Sequence, residues 1–153
     1  MIILKNKIFI ISIISCFLDQ LIKFFVSNYL TKIIIIPSFL SFIYVKNYGV
    51  AFSMLFGNRI IILLLSILLT MFIIYLIKGD YNTKKITQLN KITYGLLLGG
   101  VFGNMLDRIF KGYVVDYISV NIFGYMFPIF NLADILITVS VFILIINIIF
   151  KKN

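Results

Sequence analysis

Asp116 and Asp134 are the residues of this chain best suited to chemistry, and 17 residues lie between them. Two carboxylates brought together can share one proton, and such a pair serves as general base and general acid together. Neither has a cation next to it in sequence, so neither charge is readily assigned to structure. A plainer use exists for Asp134. Asn131 fits a helix N-cap, and Asp134 three residues on would lie in the first turn, where the helix dipole favours negative charge. What the chain lacks narrows the choice. It has no histidine and one cysteine, Cys16, which removes serine–histidine, cysteine–histidine and histidine-bound zinc catalysis, a disulfide framework and a cysteine-built metal site.

Other polar residues fall in patterned places. Asp19 and Lys23 are four apart and share a helix face, with Ser15 one turn earlier. They read either as an ion pair that lets a helix enter the membrane or as a pair that also shapes a polar site. Asn104 and Arg108 likewise share a face, and Asp107 is expected to balance the charge of its neighbour Arg108. Gly95, Gly99, Gly100 and Gly103 precede them at spacings that let helices approach closely.

The elements that must hold these residues are membrane spans. The chain is 62% hydrophobic and 12% charged over 153 residues, with a mean hydropathy of +1.14. A soluble domain has about 45–50% apolar and about 25% charged residues. Four stretches are long enough to cross a bilayer, at about 8–29, 60–77, 92–109 and 129–150. The first follows Lys5 and Lys7 like a signal peptide, but the chain stays hydrophobic to its end, so this span is expected to be retained. The segment 31–58 is interrupted by Pro37, Lys46, Asn47 and Gly49. Its β-branched and aromatic runs, 33–36 and 39–45, favour short strands lying on the outer surface.

Charge sets the orientation. The chain carries 14 Lys+Arg against 5 Asp+Glu, a formal charge of +9. Four spans put Lys5, Lys7, Lys78, Lys84, Lys85, Lys91, Lys151 and Lys152 on one side. Lys32, Lys46, Arg59 and Lys111 fall on the other. The positive-inside rule then makes both termini cytoplasmic. Basic residues outside the apolar runs point to anionic lipid as a partner rather than nucleic acid. One domain, 1–153, is expected.

At its polar residues the chain resembles the lipoprotein signal peptidases, or type II signal peptidases, of bacteria. The matching motifs are Asp19-x-x-x-Lys23, Asn47-x-Gly49-x-Ala51-Phe52, and Gly100-x-x-Gly103-Asn104-x-x-Asp107-Arg108. Val114-Val115-Asp116 and Phe130-Asn131-x-Ala133-Asp134 complete the set, in the family's order. Ile22 and Val50 depart from it, where Ser or Thr and Ala are frequent. The resemblance implies an all-α membrane protein of four transmembrane helices with a small extracytoplasmic β-cradle, located in the bacterial inner membrane. It implies an aspartic endopeptidase that removes the signal peptide of a prolipoprotein just before its diacylglyceryl-modified cysteine. By motif, Asp116 and Asp134 are the catalytic pair. Asn47, Gly49, Asn104, Arg108 and Asn131 line the substrate pocket, and Asp19, Lys23 and Asp107 support it near the extracytoplasmic face. A monomer without metal or other cofactor is expected, with lipid-modified prolipoproteins and membrane lipids as partners.

Other readings stay open at this stage. A serine–lysine peptidase would use Lys23 with Ser15 or Ser27. A small cation or proton transporter would use intramembrane aspartates as a relay. A purely structural subunit is the third.

Overall fold

The computed structural model describes residues 2–49, 57–83 and 86–150, with side chains from residue 7 onward. Val50, Ala51 and Phe52 of the second motif, together with Lys84, Lys85, Lys151 and Lys152, lie outside the described residues. The elements run α1 (Ile2–Tyr29), β1 (Lys32–Ile36), β2 (Leu40–Asn47), α2 (Arg59–Asn82), α3 (Gln88–Phe110), β3 (Val114–Ile122), β4 (Tyr125–Met126) and α4 (Leu132–Phe150).

α3 is the centre of the helical part and packs on α1, α4 and, less extensively, α2. Its glycines make this possible. A methyl group at Gly99 would stand 2.5 Å from Ser15 Cβ and 2.9 Å from the Ser12 carbonyl, and one at Gly95 would stand 2.7 Å from Ile11 Cβ. Gly100 points the other way, where a methyl would come 2.7 Å from the Ala133 carbonyl on α4. The small residues thus admit α1 on one side and α4 on the other. Ile8, Ile73, Tyr94, Leu97, Leu98 and Val101 form the apolar core between the helices.

Among the described residues three helices are long and apolar enough to cross a membrane, at Lys7–Tyr29, Arg59–Asn82 and Leu132–Phe150. The span expected at 92–109 falls within α3, which is not among them. Thr93, Asn104 and Asp107 of α3 are buried against its neighbours, so this helix offers little surface that must be apolar. The outward faces of α1, α2 and α4 carry Phe17, Phe24, Leu68, Phe72, Phe142 and Ile148 in the open. So much exposed apolar surface suits lipid rather than water. The protein is an integral membrane protein, mostly helical.

The sheet is antiparallel, ordered β1-β2-β3-β4. The strands expected at 33–36 and 39–45 are present as β1 and β2, joined by a tight turn in which Phe39 N donates to Ile36 O at 3.1 Å. Ser38 follows Pro37 there with a φ of 59°. The stretch after α3 forms β3, the longest strand among the described residues at 9 residues. Phe123 and Gly124, both at positive φ, close the β3–β4 hairpin. Val26 of α1 packs with Val115 and Tyr117 of β3 as a second small core, so the sheet rests on the end of α1.

Candidate active site

The β2–β3 register pairs Val45 with Asp116 and Asn47 with Val114, which sets Asn47 diagonally from Asp116 on one face of the sheet. Asn47 Nδ2 donates to Asp116 Oδ2 at 2.8 Å. The other end of that amide is also used, because Asn47 Oδ1 accepts from Gly49 N at 2.9 Å. Gly49 O in turn accepts from Arg108 Nη2 at 3.2 Å, and Arg108 Nη1 reaches Asn104 O at 3.4 Å.

The second carboxylate comes from the start of α4. Asn131 caps the helix as its sequence suggests. Asp134 N donates to Asn131 Oδ1 at 3.0 Å, and Asn131 N donates to Asp134 Oδ2 at 3.1 Å. This reciprocal capping box leaves the Asn131 amide nitrogen free to turn outward. It donates to Asp116 Oδ1 at 2.6 Å and to Asn104 Oδ1 at 3.2 Å. Asn104 Nδ2 donates to Asp134 Oδ1 at 2.8 Å. One residue therefore binds both carboxylates, and capping and pairing are compatible uses of Asp134.

Asp116, Asp134, Asn47, Asn104 and Arg108 line a cleft of about 590 Å³. Leu69, Val101 and Ile137, from α2, α3 and α4, add apolar lining to the same cleft, beside Ser66 and Thr138. Burial pushes the Asp116 carboxyl up to about 6, helped by the nearby charge of Asp134, while the bonds from Asn47 and Asn131 act against the rise. Burial also pushes the Tyr117 hydroxyl up to about 12, which keeps it neutral. No cluster of three His, Cys, Asp or Glu side chains that could hold a metal ion occurs among the described residues.

Behind the cleft lies a buried ionic cluster. Lys23 Nζ is 2.8 Å from Asp19 Oδ2, 3.1 Å from Asp107 Oδ2 and 2.8 Å from Asn104 Oδ1. Asp19 Oδ1 also accepts from Ala133 N of α4 at 3.0 Å. That reach passes Gly103, where an added methyl would collide with the Asp19 carboxylate. The ion pair expected at Asp19 and Lys23 is present, with both side chains fully buried.

One expectation is corrected. Asp107 does not pair with Arg108. Its carboxylate meets Lys23, Lys111 Nζ at 2.8 Å and Val115 N at 3.1 Å, because adjacent residues on a helix diverge whereas residues four apart converge. Arg108 instead lines the cleft with Asp116 and Asp134 and donates to Gly49 O. Two residues outside the motifs also join the network: Tyr117, whose hydroxyl accepts from Leu132 N at 3.2 Å, and Gln20, which donates to Gly103 O at 2.9 Å. Lys111 was detectable as the residue four after Asp107; nothing in the sequence singled out Tyr117. The serine–lysine reading loses its base, since the three protons of Lys23 are all engaged and Ser27 Oγ donates to Phe24 O at 3.1 Å.

Residues 11–150 match the family model described as signal peptidase (SPase) II. The lipoprotein signal peptidase of Caldicellulosiruptor bescii is 41% identical over 140 residues, covering 88% of this chain and 85% of that one. That of Francisella tularensis subsp. novicida is 36% identical over 156 residues, covering 97% and 95%. A solved bacterial membrane enzyme superposes with a TM-score of 0.85 at 31% identity, covering 97% of this chain and 90% of its own. A second reaches 0.80 at 33% identity, covering 97% and 95%. The transporter reading has no support in these likenesses. The chain belongs to the signal peptidase II family.

Proposed function

We propose that this protein is a lipoprotein signal peptidase in which Asp116 and Asp134 are the catalytic pair. It removes the signal peptide of a prolipoprotein, cutting just before the diacylglyceryl-modified cysteine. The observation that carries the assignment is Asn131, which bonds Asp116 Oδ1 through its side chain and Asp134 Oδ2 through its backbone. In the reaction, one ionised carboxylate draws a proton from a water that attacks the scissile carbonyl. The other, protonated, donates to the carbonyl oxygen as negative charge develops there. Asn47, Gly49, Asn104, Arg108 and Asn131 shape the pocket around the substrate, and Asp19, Lys23 and Asp107 hold that pocket from behind. The apolar side chains Leu69, Val101 and Ile137 in the cleft suit the acyl chains of the modified cysteine.

The membrane arrangement follows from charge and length. α3 has 23 residues, about 34 Å at 1.5 Å per residue, enough to span a ~30 Å hydrocarbon core. It serves as a fourth span shielded by the others. Both termini are cytoplasmic in the bacterial inner membrane, and the sheet with the cleft lies at the extracytoplasmic face. The chain works as a single domain and as a monomer, with surrounding lipid and the prolipoprotein as its partners. The test is direct: purified protein is incubated with a lipidated prolipoprotein, and release of the signal peptide is expected. No release from folded protein would contradict the assignment.

A further inference from the structure

Lys23 is a lysine with no access to solvent, and its three ammonium protons meet three acceptors: Asp19 Oδ2, Asp107 Oδ2 and Asn104 Oδ1. Charge balance with Asp19 and Asp107 explains two of these contacts. It does not explain the third, the 2.8 Å bond to a neutral amide that itself touches Asp134.

An ammonium can only donate, so the atom of Asn104 that faces Lys23 must be the oxygen. The nitrogen of the same amide is then forced to the opposite side, where it donates to Asp134 Oδ1 at 2.8 Å. Without the ammonium, the amide could turn over and present its oxygen to a carboxylate oxygen. Among the described residues the other donor to Asn104 Oδ1 is Asn131 Nδ2 at 3.2 Å, and that nitrogen is engaged more closely, at 2.6 Å, by Asp116. Asn47, on the far side of Asp116, shows the same device: Gly49 N takes its oxygen and so directs its nitrogen at the other carboxylate.

We infer that Lys23 is a positioning residue that fixes the Asn104 amide with its NH2 group toward Asp134, so that this carboxylate is held as a hydrogen-bond acceptor during catalysis. The inference rests on Asp116 and Asp134 being the pair. Lys23 touches no reacting atom. Its effect passes entirely through one amide.

Removing Lys23 alone would strand two buried carboxylates, so the test uses a charge-balanced background. Asp19→Asn keeps an oxygen for Ala133 N. In Asp19→Asn/Lys23→Met the cluster stays neutral, with Asp107 still bound to Lys111 and Val115 N. Cleavage of a lipidated prolipoprotein is measured per folded molecule for both variants, alone and combined with Asn104→Ala. The double variant is expected to fall about 10–100-fold in kcat below Asp19→Asn, the scale at which groups orienting an active-site residue act, with KM within about twofold. In the Asn104→Ala background the same step should cost less than about twofold, because there is no amide left to orient. A merely structural lysine would cost the same in both backgrounds, and that result, or an unchanged kcat in the folded double variant, would overturn the inference. Asp134→Asn is measured in parallel. If it stays active, the assignment of the pair fails; if it is dead while Lys23 has no effect through Asn104, only the positioning role fails.

Discussion

Asp107 accepts the backbone N–H of Val115 at 3.1 Å, and Val115 immediately precedes Asp116 on β3. The carboxylate thereby joins the end of α3 to the strand that carries one member of the proposed pair, while it also binds Lys23 and Lys111. Asp107→Asn leaves Lys23 with Asp19 as its one charged partner and replaces a buried carboxylate by a weaker acceptor, so it is expected to lose about 1–3 kcal/mol of stability. Some activity should survive in the fraction that stays folded. Thermal unfolding in detergent beside the cleavage rate checks both, and an unchanged melting temperature would contradict the first.

Two glycine substitutions separate close packing from simple helix propensity. Gly99→Ala drives a methyl into Ser15 and the Ser12 carbonyl, and should cost about 1–3 kcal/mol by forcing α1 from α3. Gly79→Ala, in α2, meets nothing within 4 Å and should be neutral or stabilise by up to about 1 kcal/mol. Melting temperatures of the two variants should move in opposite directions or diverge clearly.

The pH dependence follows from Asp116. Burial and the neighbouring Asp134 lift its carboxyl to about 6, so the protonated form is the one the free enzyme favours below that value. As pH rises through about 6 the proton is lost and kcat/KM should decline. Because kcat reports the complex, from which substrate excludes water, its decline should come at higher pH. The raised value also means that the stability linked to this proton is complete below the unfolded value near 3.8 and is lost as pH rises to about 6. The constants fitted to kcat/KM and to kcat belong to the coupled pair. A kcat/KM that climbs steadily from pH 5 to 8 would contradict this.

Orientation is testable by labelling. Cysteines placed at Lys46 and Lys111, in a Cys16→Ser background, should react from the outside, and cysteines at Lys84 and Lys151 from the cytoplasm. Labelling of position 46 together with 84 would exclude the four-span arrangement.

The sequence disclosed the site more fully than the sheet. Asn131 stands at a capping position with Asp134 in the first turn, and Asp19 and Lys23 are at a helical spacing, so local periodicity was enough to expect the cap and the ion pair. The two strands flanking Pro37 were legible from β-branched runs. β3 was not, because its residues Val114 to Ile122 gain strand form from pairing with β2, a partner about 70 residues away in sequence. Asp107 misled for a related reason: Arg108 is adjacent in the chain, while the carboxylate meets Lys111 four residues on and Lys23 from another helix. Tyr117 and Gln20 act only through the folded arrangement and left no local mark. The second motif beyond Gly49 lies outside the described residues.

The pair itself is tested by Asp116→Asn and Asp134→Asn. Asparagine nearly matches aspartate in size, but it can neither act as the base nor hold the shared proton. Cleavage of a lipidated prolipoprotein per folded molecule is the measurement, with thermal stability recorded alongside. Each single variant is expected to insert, to fold and to be almost inactive, and the double variant to be no worse than either, because groups acting as one unit are non-additive. Substantial activity in folded Asp116→Asn, with folded Asp107→Asn dead, would contradict the assignment of the pair.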